Sequence, residues 1–135
     1  MTRFDIEQIL TYYLSTYAEN EGLDVCYPNK VFEPVIGENW LGVSFMQADS
    51  SDTVIAEGYE RLNGIMQINI NVPKNTGTYD LYKISDDLKS IFKSNGILSY
   101  NGSTVHLQHT YLRGEDISDN WFCKFLTIEY SEFNL

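Results

Sequence analysis

Basic residues are scarce in this sequence. Nine Lys and Arg stand against nineteen Asp and Glu, a formal charge of −10 over 135 residues. Nucleic-acid binders draw most of their affinity from Lys and Arg on phosphates, so this balance speaks against direct DNA or RNA binding. It speaks equally against adhesion to anionic membranes. Self-repulsion that keeps the protein dispersed is the simplest use of such a charge. Long apolar runs are also missing, and none approaches the roughly 20 residues that span a bilayer. The opening "MTRFDIEQILTYYL" mixes charges among its apolar residues, so it is not expected to act as a signal peptide. The expectation is a soluble protein that does not leave the cell by a standard export route.

Chemistry-bearing side chains are few as well. Cys26 and Cys123 lie far apart in apolar stretches. They could pair, but a reduced, buried pair in a cytoplasmic fold is the expected state. Cys123 lies in a strand-like run, where a thiol serves as core, and Cys26 precedes a Tyr-Pro turn with no histidine near it. His106 and His109 are the only histidines, and positions three apart on a strand point to opposite faces, so they cannot share a metal. Asp86 and Asp87 sit side by side on a helical stretch, pointing about 100° apart. Glu115, Asp116 and Asp119 lack the spacing and the glycine of a calcium loop, so "RGEDISDN" reads as a solvated acidic loop. "KNTGTYD" offers one glycine and no Walker lysine. Its Gly77–Thr78 turn would hold an anion only weakly, because Asp80 would repel it. No catalytic, metal or cofactor constellation is visible, and a non-enzyme is expected.

What the chain has in quantity is apolar and aromatic surface: 43% hydrophobic residues, ten Tyr and seven Phe. A single domain of this length buries about two-thirds of its unfolded surface. Tyrosine, large yet amphipathic, suits half-buried sheet faces and interfaces. Ile6, Ile9, Leu10, Tyr13, Leu14 and Tyr17 form one helical stripe, with a capping box at Thr2 and Asp5 and an end near Asn20, before Gly22. A second helix is predicted from Tyr79 to Ser94, with Leu81, Ile84, Leu88, Ile91 and Phe92 as its stripe, Thr78 as cap and Gly96 at its end.

Strands fill the remainder. "WLGVSFMQ" has strand composition. In "GIMQININ" Met66, Ile68, Ile70 and Val72 face one way, while Ile65, Gln67, Asn69 and Asn71 face the other. An apolar face backed by Gln and Asn describes a sheet covered on one side only. Asn101-Gly102 divides "ILSY" from "STVHLQHTYL" as a hairpin turn would, and "WFCKFLTIEY" closes the chain. The prediction is an α+β two-layer sandwich over residues 1–135: a mostly antiparallel sheet of five or six strands with two amphipathic helices on one face.

"VCYPNKVFEP" breaks the pattern, because strand-like apolar density coincides with two of the three prolines. Pro28 and Pro34 each remove an amide donor and push the preceding residue out of the helical region. Pro28-Asn29 suits the centre of a turn. The segment is therefore extended, bent at Tyr27–Asn29 and confined to a sheet margin. Val25, Tyr27, Val31 and Phe32 then plug the edge of the core or meet a neighbouring subunit.

This stretch also opens a resemblance that spans almost the whole chain. A leading amphipathic helix, "YPN..FEP" and a "WL.V" strand are similar to the small tail-terminator proteins of long-tailed bacteriophages, the family of the lambda tail terminator. The likeness continues through "G.MQINI.VP...GTYD", where Gly64, Met66, Gln67, Ile68, Pro73 and Gly77 fit, and through "FKSNGIL" and "W....LTIEY". One departure is Tyr82, where the pattern implies a small residue. The resemblance implies a non-enzymatic virion assembly protein without cofactors. It would form a ring, usually hexameric, on the last ring of the tail tube, stop tube polymerisation, and present the surface that joins tail to head.

Its implied partners are copies of itself, the major tail tube protein and a neck or head-completion protein, with DNA passing through unbound and no membrane involved. It would reside in the tail-neck region of the virion and, before assembly, in the host cytoplasm. On this reading Tyr27, Pro28, Asn29, Phe32 and Pro34 shape a subunit edge. Gln47, Asp49, Ser50, Ser51, Asp52 and Thr53 form a mobile loop that contacts the tube. Glu115, Asp116 and Asp119 supply acidic charge to the ring lumen. The alternatives are another neck or head-completion connector and, less favoured because the carboxylates are scattered among basic and polar residues, an acidic DNA-mimic inhibitor.

Overall fold

The computed structural model describes residues 2–47, 54–55, 59–60 and 62–132. Helix α1 (Arg3–Glu21) opens with the expected capping box: the Asp5 amide donates to Thr2 Oγ1 at 3.2 Å, and the Thr2 amide donates to Asp5 Oδ2 at 2.7 Å. It ends at Gly22, which is left-handed at φ 69°. Ile6, Ile9, Leu10, Leu14, Tyr17 and Ala18 are buried along it. Tyr13 stays half-buried because its hydroxyl donates to Ser99 O at 2.9 Å.

Among the described residues there are eight strands, in chain order β1 (Asp24–Cys26), β2 (Trp40–Gln47), β3 (Val54–Ile55), β4 (Tyr59–Glu60), β5 (Asn63–Pro73), β6 (Ile97–Tyr100), β7 (Ser103–Ile117) and β8 (Trp121–Ser131). Six of them form one sheet in the order β1-β2-β5-β8-β7-β6, while β3 and β4 pair separately. All neighbours in the large sheet run antiparallel except β1 and β2, which are parallel. The register puts Leu41 beside Ile70, Val43 beside Ile68, Ile68 beside Leu126 and Met66 beside Ile128. These side chains share one face, because alternate residues of a strand do. Both helices pack on that face, giving the α+β layering the pattern implies. Leu10, Leu14, Leu41 and Leu126 have no exposed surface at all; truncating such a leucine to alanine costs roughly 2–5 kcal/mol.

Helix α2 (Tyr79–Ile91) is shorter than its periodicity suggests. Thr78 forms no side-chain cap bond, and the chain leaves the helix at Phe92, well before Gly96. The cause is β7. Thr110 Oγ1 donates to Phe92 O, the Thr110 amide donates to Ser94 Oγ at 2.9 Å, and the Leu107 amide donates to Gly96 O at 2.8 Å. Groups of β7 thus claim the Phe92 and Gly96 carbonyls, which a continuing helix would have needed.

A second correction concerns "RGEDISDN". Its first five residues belong to β7, and only the end forms a turn. The strand survives there through a bulge between Arg113 and Asp116, where Gly114 sits at φ 64°, a conformation that favours glycine. The Asn101-Gly102 hairpin is as expected, with both residues at positive φ, 53° and 83°.

Candidate assembly surface

The margin after β1 carries three exposed large apolar side chains, Val31, Val35 and Ile36. After β1, Pro28 and Asn29 make a turn with Asn29 at φ 56°, and residues 31–35 run on without pairing. Phe32 packs against Trp40 with ring centroids 5.1 Å apart, and Trp40 meets Trp121 edge-on at 5.9 Å. Trp40 lies in register with Asn71, and Asn71 with Cys123, so this aromatic cluster sits at one end of the sheet's outer face. Asn71 and Cys123 are buried there, which is why this end is not the bare polar surface that alternation alone suggests. Burial pushes the Cys123 thiol up to about 11, helped by the Asp116 carboxylate.

Phe32 is expected to plug the core edge or meet a neighbouring subunit; it covers Trp40 on the opposite face rather than the core. Val31 is fully exposed and so does not plug the core edge, and Val35 and Ile36 are 52% and 75% exposed. Pro34 and the turn at Pro28 keep the segment extended and off the sheet ladder, and the adjacent Val35 and Ile36 both face solvent. Tyr27 and Pro34 are half-buried, whereas Pro28 and Asn29 are exposed. Burial raises the Tyr27 hydroxyl, against a side-chain hydrogen bond with Ser15 that lowers it.

Beside the Tyr27–Pro28 turn lies a groove of about 480 Å³ between α1, β2 and β6. Phe4, Tyr12, Tyr27, Phe45 and Tyr100 give it an apolar lining, with Glu7 and Lys30 as its charged groups. Phe4 is 69% exposed and Tyr12 43%. Neither belongs to the buried stripe of α1. A large aromatic lying off the core stripe is the signal the sequence carries for this groove.

The three acidic residues gather at one end of the β7–β8 hairpin. Glu115 and Asp116 are exposed on β7, and Asp119 lies in the connecting turn. Glu115 lies 3.9 Å from Lys124 Nζ, which also sits 6.0 Å above the Tyr82 ring. Tyr82 is exposed rather than packed in the core. Gln47 is the exposed end of β2, whereas Asp49, Ser50, Ser51, Asp52 and Thr53 lie outside the described residues. Among the described residues no group of three or more His, Cys, Asp or Glu is placed to hold a metal ion, and no helix is long and apolar enough to cross a membrane.

Comparison with known proteins adds the family. The model of a phage tail terminator protein family matches residues 5–130. One solved structure superposes with a TM-score of 0.79 over 97% of this chain and 95% of its own, at 19% identity, a likeness of fold. No curated protein matches the sequence significantly. The chain belongs to the phage tail terminator family, which places it in phage tail assembly and completion, in the virion tail, in association with other tail or head proteins.

Proposed function

We propose, with that membership as the premise, that the protein forms a ring, hexameric as is usual for the resemblance, on the last ring of the tail tube. The ring ends tube polymerisation and offers its far face to a neck or head-completion protein. The observation that carries this reading is the family match over residues 5–130, supported by an apolar margin on a strongly acidic chain. A margin of that kind is what a self-associating protein needs, while −10 per copy holds copies apart everywhere else.

Within the ring, the edge shaped by Tyr27, Pro28, Asn29, Phe32 and Pro34 meets a neighbouring copy. The stretch from Gln47 to Thr53 reaches the tube protein. Glu115, Asp116 and Asp119 line the lumen, where like charge lets DNA pass without sticking. Free subunits occupy the host cytoplasm until a finished tube recruits them to the tail-neck region. The chemistry is binding alone, with no reaction and no cofactor.

The test is genetic. A phage deleted for this gene should produce abnormally long tails or tails without heads, visible by negative-stain microscopy. Particles with normal tails would overturn the proposal. A connector acting on the head side instead would leave tail length unchanged and reduce head joining alone.

A further inference from the structure

We propose that residues 31–36 of one copy seat in the groove between α1 and the Tyr27–Pro28 turn of the next copy, a head-to-tail contact. This deepens the ring reading and rests on it.

The first observation is a surplus of apolar exposure. Val31, Val35 and Ile36 project from a single six-residue stretch, and Val31 is fully exposed. Clustered apolar surface of this kind on an otherwise charged protein marks an interaction site. The groove is its counterpart, an aromatic-lined concavity of about 480 Å³. The copy's own segment does not fill it. The chain leaves the groove rim at Lys30, and Phe32 then turns to Trp40 on the outer face of the sheet, so Val31 points to solvent.

Charge selects a second copy as the occupant. On a chain of −10, the segment from Lys30 to Ile36 carries one ammonium, Lys30, and one carboxylate, Glu33. The groove carries one of each as well, Glu7 and Lys30. Glu7, Lys30 and Glu33 make no ion pair among the described residues. A neighbour's Glu33 set against Lys30 gives one opposite-charge pair per contact, the single Lys30 of each copy lining that copy's own groove. Most other approaches between copies bring carboxylates together. Pro34 holds the segment extended before contact and denies it an amide, which favours side chains in a groove over strand addition.

Projection and groove are different surfaces of one chain, so the contact is heterologous, the kind that closes into a ring when the rotation permits. Two variants test it with the full chain, read by size-exclusion chromatography with light scattering. V31E/I36E spoils the projection; F4E/Q8E spoils the groove at exposed positions. Each alone should stay monomeric where the unaltered protein assembles, with self-association weakened at least about tenfold. Mixed in equal amounts they should form heterodimers, because one intact groove and one intact projection remain. That result also proves both variants folded.

Variants that assemble normally, a mixture that stays monomeric, or an unaltered chain that is monomeric at the highest attainable concentration would each overturn the contact. Rings persisting in both variants refute this contact and leave termination standing. Normal tails from the deleted phage refute termination and leave the contact standing.

Discussion

Tyr12 lies nearly flat on Tyr100, with ring centroids 4.2 Å apart and planes 22° from parallel. Tyr12 also meets Tyr13 edge-on at 5.5 Å, and Tyr13 in turn bonds the Ser99 carbonyl. Three tyrosines thus clamp the outer side of α1 to β6, the last strand of the sheet. Pairs of this geometry contribute about 0.5–1.5 kcal/mol beyond their burial. The clamp fixes one wall of the groove before any partner arrives, which lowers the ordering cost of binding.

The two helices are tied by a polar link whose removal should be measurable. Tyr17 donates to Asp87 Oδ2 at 2.9 Å, and Lys83 reaches both Asp87 at 3.2 Å and Glu21 at 3.3 Å. Tyr17→Phe deletes the hydroxyl and leaves Asp87 with Lys83. Losing a hydrogen bond to a charged acceptor at a half-buried site should cost about 1–2 kcal/mol. For a domain of this size that lowers Tm by roughly 3–8 °C in a calorimetric scan. An unchanged Tm would show the link to be idle.

Gly64 should tolerate no side chain. It sits in β5, where an added Cβ would stand 2.5 Å from Met46 O and 2.8 Å from Tyr130 Oη. Backbone cannot yield as a flexible side chain can, so β2 or β5 must shift. Gly64→Ala is expected to destabilise by roughly 3 kcal/mol, the upper part of the overpacking range. Chemical denaturation of the variant would read it.

Most of the layering could be read from apolar spacing, and the reasons for success and failure are physical. The α1 stripe and the Met66-to-Val72 alternation worked because burial against a single layer leaves a period in the sequence. The capping box and the Asn-Gly turn worked because local hydrogen bonding and left-handed backbone limit which residues fit. The end of α2 failed because Thr110 sits 18 residues beyond Phe92 and no local pattern reveals its bond. The acidic stretch has the composition of a loop, while its pairing with β8 keeps it a strand. The site was legible in half. Proline marked the margin segment, but the groove needs α1, β2 and β6 assembled before it exists.

Alkali should weaken the fold. Burial raises Cys123 from 9.0 to about 11 and Tyr130 from 10.0 to about 12. Both groups hold their protons longer folded than unfolded, so the unfolded chain binds fewer protons and stability falls with rising pH. The Cys123 contribution is whole below pH 9 and is lost as pH rises towards 11; that of Tyr130 is whole below pH 10 and goes as pH approaches 12. Tm measured against pH should therefore decline above pH 9. Cys123→Ala should flatten the first part of that decline, and an equally steep curve for the variant would contradict the assignment.

The cap of α1 links acid behaviour to the groove. Asp5 is held below the ordinary carboxylate value of 3.8, first by the Thr2 amide and then by the Thr2 hydroxyl. A lowered folded value means that its contribution is present above pH 3.8 and is lost as pH falls through the folded value. Thr2→Ala removes the hydroxyl acceptor that satisfies the Asp5 amide, which should cost about 1 kcal/mol of helix stability. It also removes one of the two bonds that lower Asp5, so the Asp5 titration followed by NMR should move up towards 3.8. Phe4 and Glu7 stand in the first turns of the same helix, on the groove. Fraying that end should blur the rim and weaken self-association, while Thr16→Ala, at an exposed position near the other end of α1, should leave it unchanged. Equal assembly by both variants would mean that the first turn of α1 has no part in the contact.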